Sequence, residues 1–188
     1  MPAFPPLARG AQVRAATRRS QPMRQTRLAA TILLLASATA YTQEITAHRG
    51  YSSLAPENTL AAFRLAWERG ADACEMDIHL TADRQIAVIH DADTKRTSGV
   101  GLVVAKTNFA DLRPLDAGSW KAAAHAGERI PTLAEALATM PQGSRRFFIE
   151  IKCGPEVVPV LAEQLAPWQS RASQLCIIAF DRIAAREL

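Results

Sequence analysis

The chain has 188 residues and a formal net charge of +4, from 22 basic and 18 acidic residues. Its first forty residues contain six arginines and no acidic residue, so residues 41–188 carry 16 basic and 18 acidic side chains, a net charge of −2. This balance argues against a nucleic-acid-binding protein, which would present clustered positive charge. The 148 residues that follow the basic segment are enough for one domain with a substantial core.

The first forty residues have the composition of an export signal. Their arginines precede an apolar run at 28–38, which is shorter than the ~20 residues that span a bilayer. Ala38-Thr39-Ala40 then forms a small-x-small cleavage site, and Met23 offers an alternative start. We predict a cleaved signal peptide over residues 1–40, a periplasmic or secreted protein, and no membrane span after cleavage. The alternatives are an uncleaved anchor and a transit peptide.

Three cysteines follow, Cys74, Cys153 and Cys176. An odd number cannot pair completely within one chain, and no C-x-x-C spacing favours a zinc site. We therefore predict buried free thiols, with Cys74 pointing away from its neighbour Glu75 because successive strand residues face opposite sides.

Beyond residue 41, strand-like and helix-like segments alternate. Strands are predicted at 45–47, 73–80, 85–89, 146–151 and 175–180, and helices at 57–69, 131–140 and 155–165. The second of these helices opens with Thr132 and Glu135 at capping-box spacing. Residues 92–130 are polar, with scattered glycine and proline, and are predicted to form an insertion. The alternation predicts an α/β fold of parallel βαβ units, with functional groups at the carboxyl ends of the strands.

Three carboxylates are predicted to meet at that edge. Glu75 and Asp77 are two residues apart on a strand, so their side chains point to the same face, and Glu150 lies near the end of another strand. Adjacent carboxylates repel unless a cation or a shared proton compensates them. Oxygen ligands favour Ca²⁺ or Mg²⁺, so we predict a divalent-metal site here. The alternative is a solvated edge strand with alternating charge.

Two histidines and two cations complete the predicted site. His48 and His90 each end an apolar strand, next to Arg49 and Asp91, and Lys152 follows Glu150 by two residues. Imidazoles can transfer protons near neutral pH, and Arg49 and Lys152 can hold phosphate oxygens. Each histidine alone could instead be a hydrogen-bonded structural group. Together with a bound metal, these side chains fit phosphodiester hydrolysis.

The same residues resemble the glycerophosphodiester phosphodiesterases over roughly residues 44–180. The motifs that carry the resemblance are His48-Arg49-Gly50, Glu57-Asn58-Thr59, Glu75-x-Asp77, His90-Asp91, Ile130-Pro131-Thr132-Leu133 and Glu150-Ile151-Lys152. The resemblance implies a TIM-type (β/α)8 barrel with an insertion after the second strand. It implies His48 and His90 as general acid and base and Glu75, Asp77 and Glu150 as ligands of Ca²⁺ or Mg²⁺. It also implies Arg49 and Lys152 as phosphate contacts, and Glu57 and Asn58 as support.

The family reaction splits a glycerophosphodiester, a small-molecule substrate, into glycerol 3-phosphate and an alcohol. A vicinal glycerol hydroxyl is thought to attack first, which gives a cyclic phosphate that water then opens. The alternatives are a phospholipase D-like hydrolysis of lysophospholipid or sphingomyelin, and an inactive truncated copy. The sequence does not indicate an oligomeric state.

The chain departs from the family pattern at two places. Asp83-Arg84 stands where the family usually has Asp-Gly, so the turn must differ or be strained. The predicted strands amount to about four of the eight barrel strands, so we expect the chain to represent the first half of a barrel.

Overall fold

The structure, a computed structural model, describes residues 43–187. The leader predicted over residues 1–40, with the alternative start at Met23, lies outside this range, so export stays a prediction. Within residues 43–187, no helix is both long enough and apolar enough to cross a membrane.

Five strands form one sheet: β1 (Thr46–Ala47), β2 (Ala73–Leu80), β3 (Ile86–Val88), β4 (Arg146–Ile151) and β5 (Leu175–Ala179). Strands β1, β2, β4 and β5 are hydrogen-bonded in that order and are all parallel, while β3 pairs with β2 in the antiparallel direction. The four parallel strands, with helices between them, form a partial barrel of the predicted α/β class.

Among residues 43–187, six α-helices accompany the sheet: α1 (Leu60–Glu68), α2 (Lys95–Ser98), α3 (Phe109–Leu112), α4 (Leu133–Leu137), α5 (Val158–Leu165) and α6 (Ala184–Glu187). Helix α1 begins three residues later than predicted because Thr59 caps it, its hydroxyl accepting from the backbone N–H of Ala62. The capping box predicted for Thr132 and Glu135 is confirmed at the start of α4.

The main core lies between the sheet and the three longer helices. Phe147 of β4 lies at its centre, with its ring centroid 5.4 Å from that of Phe63 and 5.2 Å from that of Trp67, both in edge-to-face geometry. Met76 and Ile78 of β2 point into the same cluster and are completely buried. This packing holds β2 and β4 side by side.

The insertion at residues 92–130 contains α2, α3 and two short 3₁₀ helices, Val104–Lys106 and Ala123–His125. Its apolar residues build a second small cluster with the residues that flank it, made of Ala87, Ile89, Val104, Leu112, Ala117 and Ile130. Trp120 and Val103 remain substantially exposed on its surface. Most of the insertion's apolar content therefore serves packing.

The parallel arrangement predicted for every strand is wrong for β3. The five-residue connection between Leu80 and Ile86 is too short for a crossover, so the chain makes a hairpin and runs back along β2, with Val88 opposite Ile78. The N–H of Ile89 then donates to the carbonyl oxygen of Asp77 at 3.0 Å. His90 and Asp91 thus reach the middle of β2 on a returning strand, not at the end of a parallel one.

The three cysteines are free thiols in the described structure. Cys74 is completely buried on the core face of β2, as predicted, and burial raises its pKa. The prediction of burial is wrong for Cys153 and Cys176, which are half-buried.

The hairpin turn predicts a stabilising substitution. Arg84 adopts φ = 60°, a left-handed conformation that costs a non-glycine residue roughly 1 kcal/mol or more, and its side chain is exposed. We expect Arg84→Gly to raise the free energy of unfolding by about 0.5–1 kcal/mol in urea denaturation, since glycine adopts this conformation without strain. Arg64→Gly, at an exposed position inside α1, should instead lower it by about 1 kcal/mol. Equal losses in both variants would contradict a strained turn.

Candidate active site

Strand β2 separates the site from the core by simple alternation. Glu75, Asp77 and His79 point to one face, whereas Cys74 and Met76 point to the other and enter the core. All eight residues of β2 are nonetheless buried. Three ionisable side chains are therefore held out of water in a row. The shared face of Glu75 and Asp77 is as predicted, and their burial excludes the alternative of a solvated edge strand.

The register between β2 and β4 adds the third carboxylate. Asp77 lies directly opposite Glu150 in the parallel pair. One carboxylate oxygen from each of Glu75, Asp77 and Glu150 lies within 4.8 Å of the others, and all three residues are buried. The predicted cluster is thus present, formed by neighbouring strands and not by a loop.

The carboxylates are partly satisfied by neighbouring groups. Glu75 Oε2 accepts from the backbone N–H of Arg49 at 2.8 Å, and Asp77 Oδ2 accepts from Asn58 Nδ2 at 2.7 Å. Glu75 Oε1 and Asp77 Oδ1 are buried without a hydrogen-bond partner in the described part of the chain. Lys152 Nζ lies 3.3 Å from Asp77 Oδ1, within ion-pair distance but without hydrogen-bond geometry.

The electrostatics of the cluster reflect this incomplete compensation. Burial, followed by the charge of Asp77, raises the pKa of Glu75 from an ordinary value of 4.5 to about 7. The pKa of a carboxyl rises when the folded protein disfavours its charged form. The negative charge of the cluster is therefore not fully compensated, and additional positive charge would be favourable there at neutral pH.

Two residues near the carboxylates have unusual backbone conformations. Arg49 has φ = 54° and Asn58 has φ = 56°, both in the left-handed region. Such strain persists where surrounding contacts fix it, and it is common at functional sites. Gly50, the residue after Arg49, has φ = 72°, and a Cβ there would lie 2.7 Å from the backbone of Ala62 in α1. The chain after β1 can approach α1 this closely because residue 50 is glycine.

Asn58 connects the start of α1 to β2. Its Nδ2 donates to Asp77 Oδ2, and its Oδ1 accepts from the backbone N–H of Asp77 at 3.1 Å. The nitrogen and the oxygen of the Asn58 amide thus both form hydrogen bonds with Asp77. Asn58 lies in the turn before α1, not inside the helix as predicted, and this position is what directs its side chain to β2.

Arg49 and Lys152 supply positive charge on two sides of Asp77. Arg49 Nη1 donates to Glu57 Oε1 at 3.0 Å, and its Nε lies 3.3 Å from Asp77 Oδ2. Lys152 forms a short ion pair with Glu150 in addition to its approach to Asp77. Both cations are partly exposed, so each can also meet a ligand that enters from solvent.

The two predicted histidines differ in their surroundings. His48 is mostly exposed, and its Nε2 lies 3.8 Å from Glu75 Oε2. His90 is held more firmly, since its Nδ1 lies 2.8 Å from Asp91 Oδ1. His79 is buried, burial lowers its pKa, and its Nε2 lies 3.0 Å from the carbonyl oxygen of His90. His79 therefore supports the backbone at His90.

Eight of the ten residues predicted for the site are linked by contacts around the carboxylate cluster: His48, Arg49, Glu57, Asn58, Glu75, Asp77, Glu150 and Lys152. His90 and Asp91 form a pair that is joined to these eight through Arg96. Arg96 also belongs to this set, because it bonds both Asp91 and Glu57. Sequence reasoning missed it because it lies in the irregular insertion, where no periodicity indicates its direction. His125 lies apart from the cluster and approaches the carbonyl oxygen of Leu54.

The cluster fits a hard divalent cation. Three buried carboxylates within reach of one another, two of them with an unsatisfied oxygen, provide the oxygen ligands that Ca²⁺ and Mg²⁺ bind. Cysteine sulfur is absent from this face of β2, because Cys74 lies on the opposite one. Glu75, Asp77 and Glu150 are therefore suitable ligands for such an ion.

Comparisons with known proteins indicate the family of the chain. The sequence profile of the Glycerophosphoryl diester phosphodiesterase family matches residues 48–183. A glycerophosphodiester phosphodiesterase of Caldanaerobacter subterraneus is 41% identical over 121 residues, which are 64% of this chain and 50% of that protein. A lysophospholipase D of Rattus norvegicus is 33% identical over 141 residues, covering 68% of this chain and 45% of that protein.

A solved structure has the same fold. An Oleispira antarctica phosphodiesterase, in complex with the product sn-glycerol-3-phosphate, aligns with a TM-score of 0.73 and 33% identity, over 79% of this chain and 62% of that one. The chain spans about half the length of the curated relatives that it matches. The family profile covers more than half of the chain, and its motif residues meet at one site. The chain therefore belongs to the glycerophosphoryl diester phosphodiesterase family.

Proposed function

We propose that this chain provides the metal-binding and acid–base part of an enzyme that hydrolyses glycerophosphodiesters to glycerol 3-phosphate and an alcohol. The observation that carries the proposal is the meeting of three buried carboxylates with two cations and two imidazoles on one face of the sheet. Family membership and the product named for the Oleispira antarctica relative support the same substrate class.

Glu75, Asp77 and Glu150 would hold Ca²⁺ or Mg²⁺ in this proposal. When bound, the ion would supply positive charge that stabilises the negative charge developing on the phosphate oxygens. Arg49 and Lys152, which flank Asp77, would hold the same oxygens by charge and hydrogen bonding. Binding of an anionic phosphodiester would thus be favoured although residues 41–188 have a small net negative charge.

The two histidines would transfer the protons. His90 binds Asp91 through Nδ1, which leaves Nε2 to accept the proton of the attacking glycerol hydroxyl. The new oxygen–phosphorus bond forms as the bond to the leaving alcohol breaks, and His48 would protonate that alcohol's oxygen. Water would then attack the phosphorus of the cyclic phosphate, and the ring bond between phosphorus and the glycerol oxygen that attacked first would break. His48 would take a proton from the water and His90 would return its proton to that glycerol oxygen, which gives glycerol 3-phosphate.

A related activity on lysophospholipids is the second candidate. It is favoured by the identity to the lysophospholipase D of Rattus norvegicus and by exposed apolar side chains on the insertion, including Val103 and Trp120. The two activities share the phosphodiester chemistry and differ in the apolar group of the substrate. Parallel assays with glycerophosphocholine and lysophosphatidylcholine separate them.

Periplasmic or secreted localisation, proposed from the leader alone, is consistent with a substrate derived from membrane lipids. Fractionation of cells that express the full chain, followed by N-terminal sequencing, would locate the protein and show whether cleavage follows Ala40.

Turnover provides the first test of the proposal. We expect the purified protein to release glycerol 3-phosphate from glycerophosphocholine with Ca²⁺ or Mg²⁺ and to stop when a chelator is added. His48→Ala and His90→Ala should each lower turnover by at least about 10²-fold, because each removes a proton-transfer group, and should leave metal binding largely intact. His125→Ala is the matched control, since His125 lies away from the cluster. Full turnover in either site variant would contradict the assigned roles.

Metal affinity tests the ligand assignment without any substrate. Glu150→Gln should weaken binding of Ca²⁺ or Mg²⁺ in isothermal titration calorimetry, because one charged ligand of three is lost. Glu163→Gln removes an exposed carboxylate from α5 and should leave affinity unchanged. Equal affinity in wild type and Glu150→Gln would refute the assignment.

The raised pKa of Glu75 predicts how stability depends on pH in the metal-free protein. Because this carboxyl ionises near 4.5 when unfolded and near 7 when folded, its contribution to stability is full below pH 4.5 and is lost as pH rises to 7. We expect the free energy of unfolding of wild type to fall by roughly 1–3 kcal/mol between pH 5 and pH 8, measured relative to Glu75→Gln. Urea denaturation in chelator measures this difference. A difference that does not change with pH would exclude a perturbed Glu75.

A further inference from the structure

Arg96, in the insertion, joins two parts of the site. Its Nε donates to Asp91 Oδ2 at 2.7 Å, while Nη1 and Nη2 donate to the two oxygens of Glu57 at 2.9 and 2.7 Å. The guanidinium carbon also lies 5.7 Å from the ring centroid of Trp120. Three directed hydrogen bonds and one stacked face fix the position of this side chain.

On one side, Arg96 fixes the carboxylate that orients His90. Asp91 uses Oδ2 for Arg96 and Oδ1 for His90 Nδ1, so the carboxyl cannot rotate without breaking one of these bonds. The hydrogen bond from Arg96 is the largest cause that lowers the pKa of Asp91, to about 2. An ionised carboxylate can only accept, so neutral His90 carries its proton on Nδ1 and exposes the lone pair of Nε2.

On the other side, Arg96 fixes the carboxylate that holds Arg49. Glu57 Oε1 accepts from both Arg96 and Arg49, and the Glu57 side chain is largely buried. Burial opposes ionisation of Glu57, but the hydrogen bond and charge of Arg96, followed by those of Arg49, keep its pKa below the ordinary value. Arg49 in turn lies beside Asp77 in the carboxylate cluster.

We propose that Arg96 is a positioning residue for the reaction: it sets the orientation of His90 through Asp91 and that of Arg49 through Glu57. This inference rests on the proposed function, in which His90 transfers a proton and Arg49 holds phosphate. The insertion thereby takes part in the active site through a side chain that does not itself touch the carboxylate cluster in this structure.

Lysine can replace Arg96 in this role only in part. Binding both Asp91 and Glu57 requires the planar fork of the guanidinium together with its Nε, whereas a single ammonium is a compact point charge. We therefore expect Arg96→Lys to retain part of the effect and Arg96→Gln to lose most of it.

The insertion contains a matched control for this test. Arg113 also makes a two-bond ion pair, with Glu135 at 2.6 Å for both bonds, and attaches the insertion to α4. Its side chain is about as exposed as that of Arg96. Arg113→Gln therefore removes a comparable structural pair at a place where no site residue is bound.

The kinetic arm compares kcat and KM for glycerophosphocholine, per folded molecule, in the holoenzyme. Arg96→Gln should lower kcat by about 10- to 100-fold, as loss of a residue that orients the side chains of a site commonly does. Arg96→Lys should be intermediate, and Arg113→Gln should leave kcat unchanged. In the background of Asp91→Asn, the kcat effect of Arg96→Gln should shrink, because the two changes act through one contact. Equal kcat in Arg96→Gln and Arg113→Gln would overturn the inference.

A spectroscopic arm needs no turnover. The ¹⁵N shifts of the His90 ring in the metal-free protein should show the Nδ1–H tautomer in wild type and in Arg113→Gln, and a mixture of tautomers in Arg96→Gln. An unchanged tautomer in Arg96→Gln would overturn the inference even if activity fell. If wild type releases no glycerol 3-phosphate, the proposed function fails for this chain, whereas the tautomer comparison still decides whether Arg96 orients His90.

Discussion

The site depends on the lateral pairing of β2 with β4, because this register places Glu150 opposite Asp77, two residues along β2 from Glu75. The pairing is held from the other face of the sheet, where Phe147 and Met76 pack in the core. The carboxylates on the site face repel each other, and two of their oxygens have no hydrogen-bond partner among the described residues. Burial of apolar side chains on the core face offsets this unfavourable energy. The pair of strands β2 and β4 therefore carries the apolar core on one face and the carboxylate cluster on the other.

A second constraint is the reversal of the chain after β2. A regular βα step would carry the chain away to a helix, but the hairpin returns it to the carboxylates within a few residues. His90 and Asp91 arrive there, and the insertion that follows contributes Arg96, which links them to Glu57. In the proposed mechanism, proton transfer and phosphate binding would thus depend on one network of ionic contacts that spans a strand end, a helix start and the insertion.

The sequence predicted the parts of the molecule that obey a period. Alternation along β2 predicted the carboxylate face, and capping-box spacing predicted the start of α4. It failed where geometry is not periodic: the direction of β3 was missed because the alternation of strands and helices was taken to mean parallel strands throughout, although only a short turn joins β2 to β3. Asn58 was assigned to a helix although its left-handed backbone places it in the preceding turn, and Arg96 has no local pattern that indicates its partners.

The alternation along β2 also limits how this strand can change in evolution. Successive residues of β2 point alternately to the site and to the core. Deletion of one residue would therefore turn the site residues beyond the deletion toward the core, and the core residues toward the site. Met76 would then occupy the position of a carboxylate, and a carboxylate would enter the apolar cluster around Phe147. The strand can consequently gain or lose residues only two at a time. The insertion contacts the site through a few side chains, so its length can vary between them.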